Sequence, residues 1–316
     1  MPIPAIFRGR LSVPVVAAPQ FLVSGPDYVV EACRAGVVGT FPALNQRSTD
    51  GYATWLEQIA DRLAAAPAAA PFGVNLIVHR SNARLREDLA ATVRHKVPLV
   101  ITSLGIVPEV IAAVQSYGGL VFHDVTTLRH AAKAVEGGVD GLIAVCAGAG
   151  GHAGRLSPFA LLPELRAMFD GPLLMGGAIS TGRHVAAALM LGADMAYMGT
   201  RFIAARESMA VDAHKEMVVR ATAADIVYTP AISGVHANFL RASITAAGLD
   251  PDRLPEATGE HVGDHDKRPW KNIWSAGQGV GAIQDIPAMA ELVARLAQEY
   301  RATLRDAPAL LEQAVA

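Results

Sequence analysis

The chain has 316 residues and only two cysteines, Cys33 and Cys146. That is too few for a disulfide framework and fits a reducing cytoplasm. Aromatic residues make up 6% of the sequence, so its core must be filled by small and branched aliphatic side chains. The net charge is −2 and no run of like charges occurs, which leaves no electrostatic footprint for nucleic acid or anionic lipid. No charge-free apolar run reaches the length of a membrane span. Arg8 and Arg10 precede an apolar stretch at 11–23 that superficially resembles a secretion signal. Pro14 and Pro19 interrupt it, and we read it as a first strand. Aliphatic content is high: 52% of residues are hydrophobic against 18% charged, ample for one large core.

The apolar residues come in short runs separated by helical patterns. Strands are expected at 13–18, 37–41, 72–78, 98–102, 119–122, 140–145, 172–175 and 195–198. Helices are expected between them, one opened by Ser157-Pro158 and one capped near Ser180. Eight strands alternating with seven helices over about two hundred residues predict a (β/α)8 TIM barrel. An open doubly wound sheet would need a glycine fingerprint at its first turn, and none is present. We therefore expect an α/β barrel over 1–206, a small inserted helical domain over 207–268, and a return to the barrel over 269–316 with a closing helix at 286–305. The insertion shows helical stretches, prolines and no good strand, with 229–240 reading as loops and turns.

Candidate chemistry gathers at strand ends. After strand six comes Cys146-Ala147-Gly148-Ala149-Gly150-Gly151-His152-Ala153-Gly154. Glycine loses more backbone freedom on ordering than any other residue, so this density points to close approach of the backbone to a ligand. His152 projects from that bend as a candidate acid or base. Gly176-Gly177 and Gly199-Thr200 follow strands seven and eight, where such barrels bind phosphate; main-chain N–H groups and the Thr200 hydroxyl are the expected donors. Asn75 lies inside an apolar strand and needs a polar partner, either a cofactor or a neighbouring strand. Gln20 sits at the same rim after strand one. His123 and Asp124 end strand five, and only one of two adjacent residues can face the site. Cys146 is a candidate nucleophile or an inert buried thiol. Arg183, Arg201 and Arg206 read as solvated or phosphate-side charges. Tyr228, His236 and Phe239 form either a lid over a substrate or a small satellite core. His261 and His265 flank Asp264, but nothing else supplies zinc ligands, and no metal is expected.

The Gly150-Gly151-His152-Ala153-Gly154 loop, Gly176-Gly177, Met198-Gly199-Thr200-Arg201-Phe202 and Ile273-Trp274-Ser275-Ala276-Gly277 together resemble the nitronate monooxygenase family, also called 2-nitropropane dioxygenases. The resemblance implies FMN, with its phosphate on Gly176, Gly177, Gly199 and Thr200. It implies a ring system across Ala18, Asn75 and Gly150-Gly151, with Gln20 at the rim and Gln278 near its edge. His152 matches the family's active-site histidine, and Ser275, Tyr228 and His236 fall on the substrate side. The implied reaction oxidises an alkyl nitronate or nitroalkane with O2 to a carbonyl compound and nitrite. Two departures stand out: Asp124 where some members carry lysine after strand five, and Gln20 where many carry methionine. Other readings stay open: an NAD(P)H-dependent flavin reductase of quinones or enoyl thioesters, an inosine monophosphate dehydrogenase-like enzyme using Cys146, and a non-catalytic phosphate-binding barrel. A homodimer is compatible with each of them.

Overall fold

The computed structural model describes residues 3–256 and 272–309. Eight parallel strands close into a barrel: β1 (Val15–Ala17), β2 (Val38–Pro42), β3 (Gly73–Ile77), β4 (Leu99–Ser103), β5 (Leu120–Val125), β6 (Gly141–Val145), β8 (Leu173–Gly176) and β9 (Met195–Met198). The barrel closes where Val16 of β1 pairs with Tyr197 of β9. Helices α1 (Pro26–Ala35), α2 (Thr49–Ala64), α3 (Leu85–Arg94), α4 (Pro108–Gln115), α5 (Leu128–Glu136), α6 (Pro158–Met168) and α7 (Gly182–Met190) alternate with the strands. The closing helix α11 (Met289–Asp306) packs against α7 and α1 and completes the outer ring.

Both faces of each strand are buried, which is why the strands read as continuous apolar runs. One face packs under the helices through residues such as Val74, Leu76, Val121 and Leu142. The other fills the lumen with Val16, Val38, Leu99, Ile101, Phe122, Ile143, Leu174 and Met195. Phe7, on a 3-10 turn before β1, joins that lumen core and meets Phe122 edge-on at 6.5 Å. The N-terminal end of the barrel is thereby plugged, and the C-terminal mouth is where loops can form a site.

Three expectations are refined or corrected. Strand five runs beyond 119–122: it carries His123 and Asp124, as read, and continues to Val125, because Asp124 and Val125 still pair with Ile143 and Ala144 of β6. The cap expected near Ser180 is Thr181, whose hydroxyl accepts from His184 N at 3.2 Å. The segment after β9 is not purely helical. Beyond α8 (Thr200–Ile203) and α9 (Asp212–Arg220), strands β10 (Ile226–Thr229) and β11 (Ala237–Leu240) form an antiparallel hairpin, followed by α10 (Arg241–Ala246). A two-residue strand β7, Gly151–His152, adds to that hairpin, so Ala237 pairs with His152 and Asn238 with Gly151. The loop read over 229–240 thus contains the strand that holds His152.

Candidate active site

Side chains alternate along each barrel strand, so lumen residues near the C-terminal ends point up toward the mouth. Two positions beyond the lumen residues Ile101, Phe122 and Met195 stand Ser103, Asp124 and Tyr197. Asn75 faces the same way, since its neighbours Val74 and Leu76 pack under the helices. These polar groups are linked. The Asn75 amide donates to Ile101 O at 3.1 Å and to Ser103 Oγ at 2.8 Å. Ser103 Oγ donates to Asp124 Oδ2 at 2.6 Å. Asp124 Oδ1 is buried without a partner. Asn75 thus has protein partners and does not need a cofactor for its amide protons. Of the adjacent pair in β5, Asp124 faces the lumen, while His123 turns toward the helices and bonds Thr102 Oγ1 at 2.8 Å.

Above this floor, two glycine loops lock together. Gln278 N donates to Gly148 O at 2.9 Å, and Gly277 N donates to Thr200 Oγ1 at 2.8 Å. The contact requires glycine: a Cβ on Gly277 would lie 2.5 Å from Gly148 O and 2.8 Å from Gly150 N. Thr200 accepts that bond and keeps its own hydroxyl proton to donate. Gly177 has φ +141°, and a Cβ there would lie 2.8 Å from Ala147 O, so the turn after β8 is shaped by the loop before His152. Gly199 lies beside Gln20 and Ala18; a Cβ on it would stand 3.5 Å from Gln20 Nε2 and 3.8 Å from Ala18 Cβ. Gln20 Oε1 is buried without a partner. Ala18, Gln20, Gly150, Gly176, Gly177, Gly199, Thr200 and Gln278 therefore all lie around the one mouth.

His152 lies on β7, next to the glycine loop after β6. The residue is solvent-exposed, yet the surrounding walls remove enough water to push its imidazole below the ordinary 6.5. The hairpin fixes its strand from one side. Asn238 Nδ2 donates to Ala149 O at 2.6 Å, Tyr228 OH donates to Ala153 O at 3.0 Å, and Tyr228 stacks on His236 at 5.0 Å. The Tyr228 hydroxyl is thus engaged in holding the histidine loop. Ser275 makes a backbone bridge to Phe239, and its carbonyl lies 3.3 Å from His214 Nε2. Asn238, Ser103 and Tyr197 escaped the sequence reading. The polar residue in the Ala237-Asn238-Phe239-Leu240 run was the available signal for the first.

Several candidates leave the site. Cys146 lies in the core between barrel and helices, its Sγ directed at Ala144 O at 3.5 Å and its pKa pushed up to about 12 by burial. It does not point into the mouth, which removes the nucleophile on which the inosine monophosphate dehydrogenase-like reading depended. Arg201 is neither solvated nor phosphate-facing: it is buried and donates to Asp285 Oδ1 at 2.9 Å. Ser157 is the cap of α6. His261, Asp264 and His265 lie outside the described residues; among the described ones no His/Cys/Asp/Glu cluster could hold a metal. A cavity of about 240 Å³ sits to one side, lined by Ser180, Arg201, Asp285 and Arg295. Both arginines bond Asp285 and Glu299 Oε2 accepts from Gly182 N at 2.7 Å, while Ser180 Oγ there is buried without a partner. We place the candidate site at the mouth, where the locked glycine loops lie together with Gln20 Oε1 and Asp124 Oδ1, both buried without a partner.

Two buried imidazoles set an acid limit on the fold. Burial pushes His123 and His214 down to about 4. Unfolded, each returns to about 6.5. Between these values the unfolded chain binds more protons, so stability falls as pH drops through that window. Asp124, raised to about 6 by burial, contributes the opposite trend, losing stability as pH rises through that value. Two imidazoles outweigh one carboxyl, so the thermal midpoint is expected to fall between pH 6.5 and 4.5, and His214→Phe to flatten that fall. A midpoint independent of pH over this range would contradict the assignment.

Comparisons with known proteins bear on the family and the fold. The family model described as nitronate monooxygenase matches residues 80–299. A nitronate monooxygenase of Paraburkholderia phytofirmans is 27% identical, covering 93% of this chain and 93% of that one. A hydroxy-methyl-oxo-octahydro-indene-carboxyl-CoA dehydrogenase of Rhodococcus jostii is 31% identical over 64% of this chain and 55% of its own length. Among solved structures, nitroalkane oxidase from Streptomyces ansochromogenes shares the fold, with a TM-score of 0.82 at 24% identity, covering 95% of this chain and 99% of that one. Among the described residues, no helix is long and apolar enough to cross a membrane. The chain belongs to the nitronate monooxygenase family and is an oxidoreductase of that kind.

Proposed function

We propose that the protein is an FMN-dependent oxidoreductase that oxidises a small alkyl nitronate with O2, giving a carbonyl compound and nitrite. What supports this, beside the family, is the pair of locked glycine loops next to His152 and three buried, unpartnered polar oxygens on the strand ends and loops around them: Gln20 Oε1, Asp124 Oδ1 and Asn238 Oδ1. Buried polar atoms are normally paired. Three left open around one mouth fit a flat, polar-edged ring such as FMN carries. The glycine turns at 176–177 and 199–200 fit its phosphate, and Thr200 keeps a hydroxyl proton for it.

In this reading the turns and Thr200 hold the phosphoryl end, and Ala18, Gln20, Asn75, Gly150, Gly151 and Gln278 frame the ring. The segment 207–268, through its hairpin, holds the substrate side, where Tyr228, His236 and Ser275 stand. When bound, FMN supplies the electron acceptor for the substrate and the donor for O2. His152 does the acid–base work. Its depressed pKa keeps the imidazole neutral at pH 7, ready to take a carbon-bound proton from a nitroalkane. Protonated, or through its N–H, it orients the anionic nitro oxygens of a nitronate.

A second reading, reduction or dehydrogenation of an acyl thioester with NAD(P)H as partner, is favoured by the likeness to the Rhodococcus jostii CoA dehydrogenase. Anaerobic stopped-flow mixing separates the two. Rapid bleaching of the flavin band by propionate 3-nitronate and slow bleaching by NADH or NADPH is the expected result. Bleaching by reduced nicotinamide alone would overturn the oxygenase reading in favour of the reductase.

A further inference from the structure

The lumen floor holds a carboxyl group that the reaction above does not use. Asp124 occupies the top of β5, its Oδ2 fixed by Ser103 Oγ at 2.6 Å and its Oδ1 buried without a partner. Ser103 is itself held by the Asn75 amide at 2.8 Å, so three adjacent strands contribute one hydrogen-bonded chain, Asn75 to Ser103 to Asp124. Asp124 forms no ion pair among the described residues, and only burial and Ser103 perturb it. Tyr197 of β9 is the titratable group that shares the lumen with it. Its other strand neighbours there, Ile143 and Val145 of β6, are apolar. His123 faces the helices, and His152 stands on the mouth loops above.

A buried carboxyl without a cation is costly unless it is neutral or meets a ligand. An asparagine would accept the same bond from Ser103 without carrying a titratable charge. Resting on the flavin reading, we propose that Asp124 is a positioning and tuning residue for the flavin: Oδ1 faces the underside of the ring site, and the charge on its carboxyl opposes the negative charge gained when the cofactor is reduced. Ser103 and Asn75 hold the carboxyl in that orientation.

Burial raises the Asp124 pKa to about 6, so its charge changes close to neutrality. Below that pH the neutral acid leaves reduction unopposed. Above it the carboxylate disfavours reduction, and the flavin potential falls with pH more steeply than its own chemistry requires.

The test is the reduction potential of the purified flavoprotein, measured by dye equilibration from pH 5 to 8.5. Asp124→Asn is expected to match the wild type at pH 5. At pH 8 it should shift the dye equilibrium about tenfold or more toward reduced flavin. Ser103→Ala removes the bond that lowers the Asp124 pKa, so the break in the wild-type curve should move to higher pH. That variant tests the same claim even if Asp124→Asn folds poorly. Superimposed curves for wild type and Asp124→Asn, or an unmoved break in Ser103→Ala, would overturn this role while leaving the flavin reading intact. A protein that binds no flavin would overturn both.

Discussion

Replacing His152 by alanine is expected to lower kcat/KM for a neutral nitroalkane by about 10²–10⁴-fold, the usual range for losing a positioned general base. The loss should be smaller with a preformed nitronate, because that substrate has already given up its proton and needs the imidazole only for orientation. Flavin content should be unchanged, since His152 belongs to β7 and the hairpin side, not to the turns at 176–177 and 199–200. The pH profile follows from the direction of the shift. Desolvation depresses the imidazole pKa, so nitroalkane turnover should rise with pH through a value below 6.5 and then level off. In His152→Ala that limb should vanish. Equal losses with both substrates would limit His152 to an orienting part. Full turnover with every substrate would make it a structural residue of the β7–β11 pairing.

Gly177→Val should have the next largest effect, and on a different observable. Gly177 combines φ +141° with a Cβ position 2.8 Å from Ala147 O. A β-branched side chain there meets both backbone strain and a backbone clash that no rotamer relieves. Strain of about 1–3 kcal/mol borne by the ligand-binding conformation corresponds to about 5–150-fold weaker binding. Folding should survive, since the turn lies above a barrel core it does not help to fill. The expected product is a protein with unchanged far-ultraviolet circular dichroism that loses its yellow colour on dilution or gel filtration. A Gly177→Val protein that kept its full flavin complement would remove the turn after β8 from the phosphate site.

The barrel was legible in the sequence because parallel strands buried on both faces leave continuous apolar runs, and glycine turns punctuate them. The runs at 140–145 and 195–198 differ from β6 and β9 by a residue at most. Where a strand carries polar residues into the lumen, the signal fails. The apolar run at 119–122 stops short of β5, which carries His123 and Asp124 on to Val125. The hairpin was partly legible: Ile226-Val227-Tyr228-Thr229 has the β-branched and aromatic character of a strand. Its partner, with alanine and asparagine among four residues, does not. No local pattern could reveal β7, because Gly151 and His152 become a strand only through pairing with β11, more than eighty residues later. The same holds for the Asn75–Ser103–Asp124 chain, which exists only once three strands are side by side. Cys146 shows the converse. Its place beside the glycine loop suggested chemistry, but the alternation of β6 carries it to the helix side.

Every role assigned to these residues requires a flavin at the barrel mouth, and the visible absorption spectrum of the purified protein reports its presence. The expected spectrum shows the two visible flavin absorption bands, with FMN recovered in proportion to the chain after denaturing release. A colourless protein that stays colourless after incubation with FMN would contradict it.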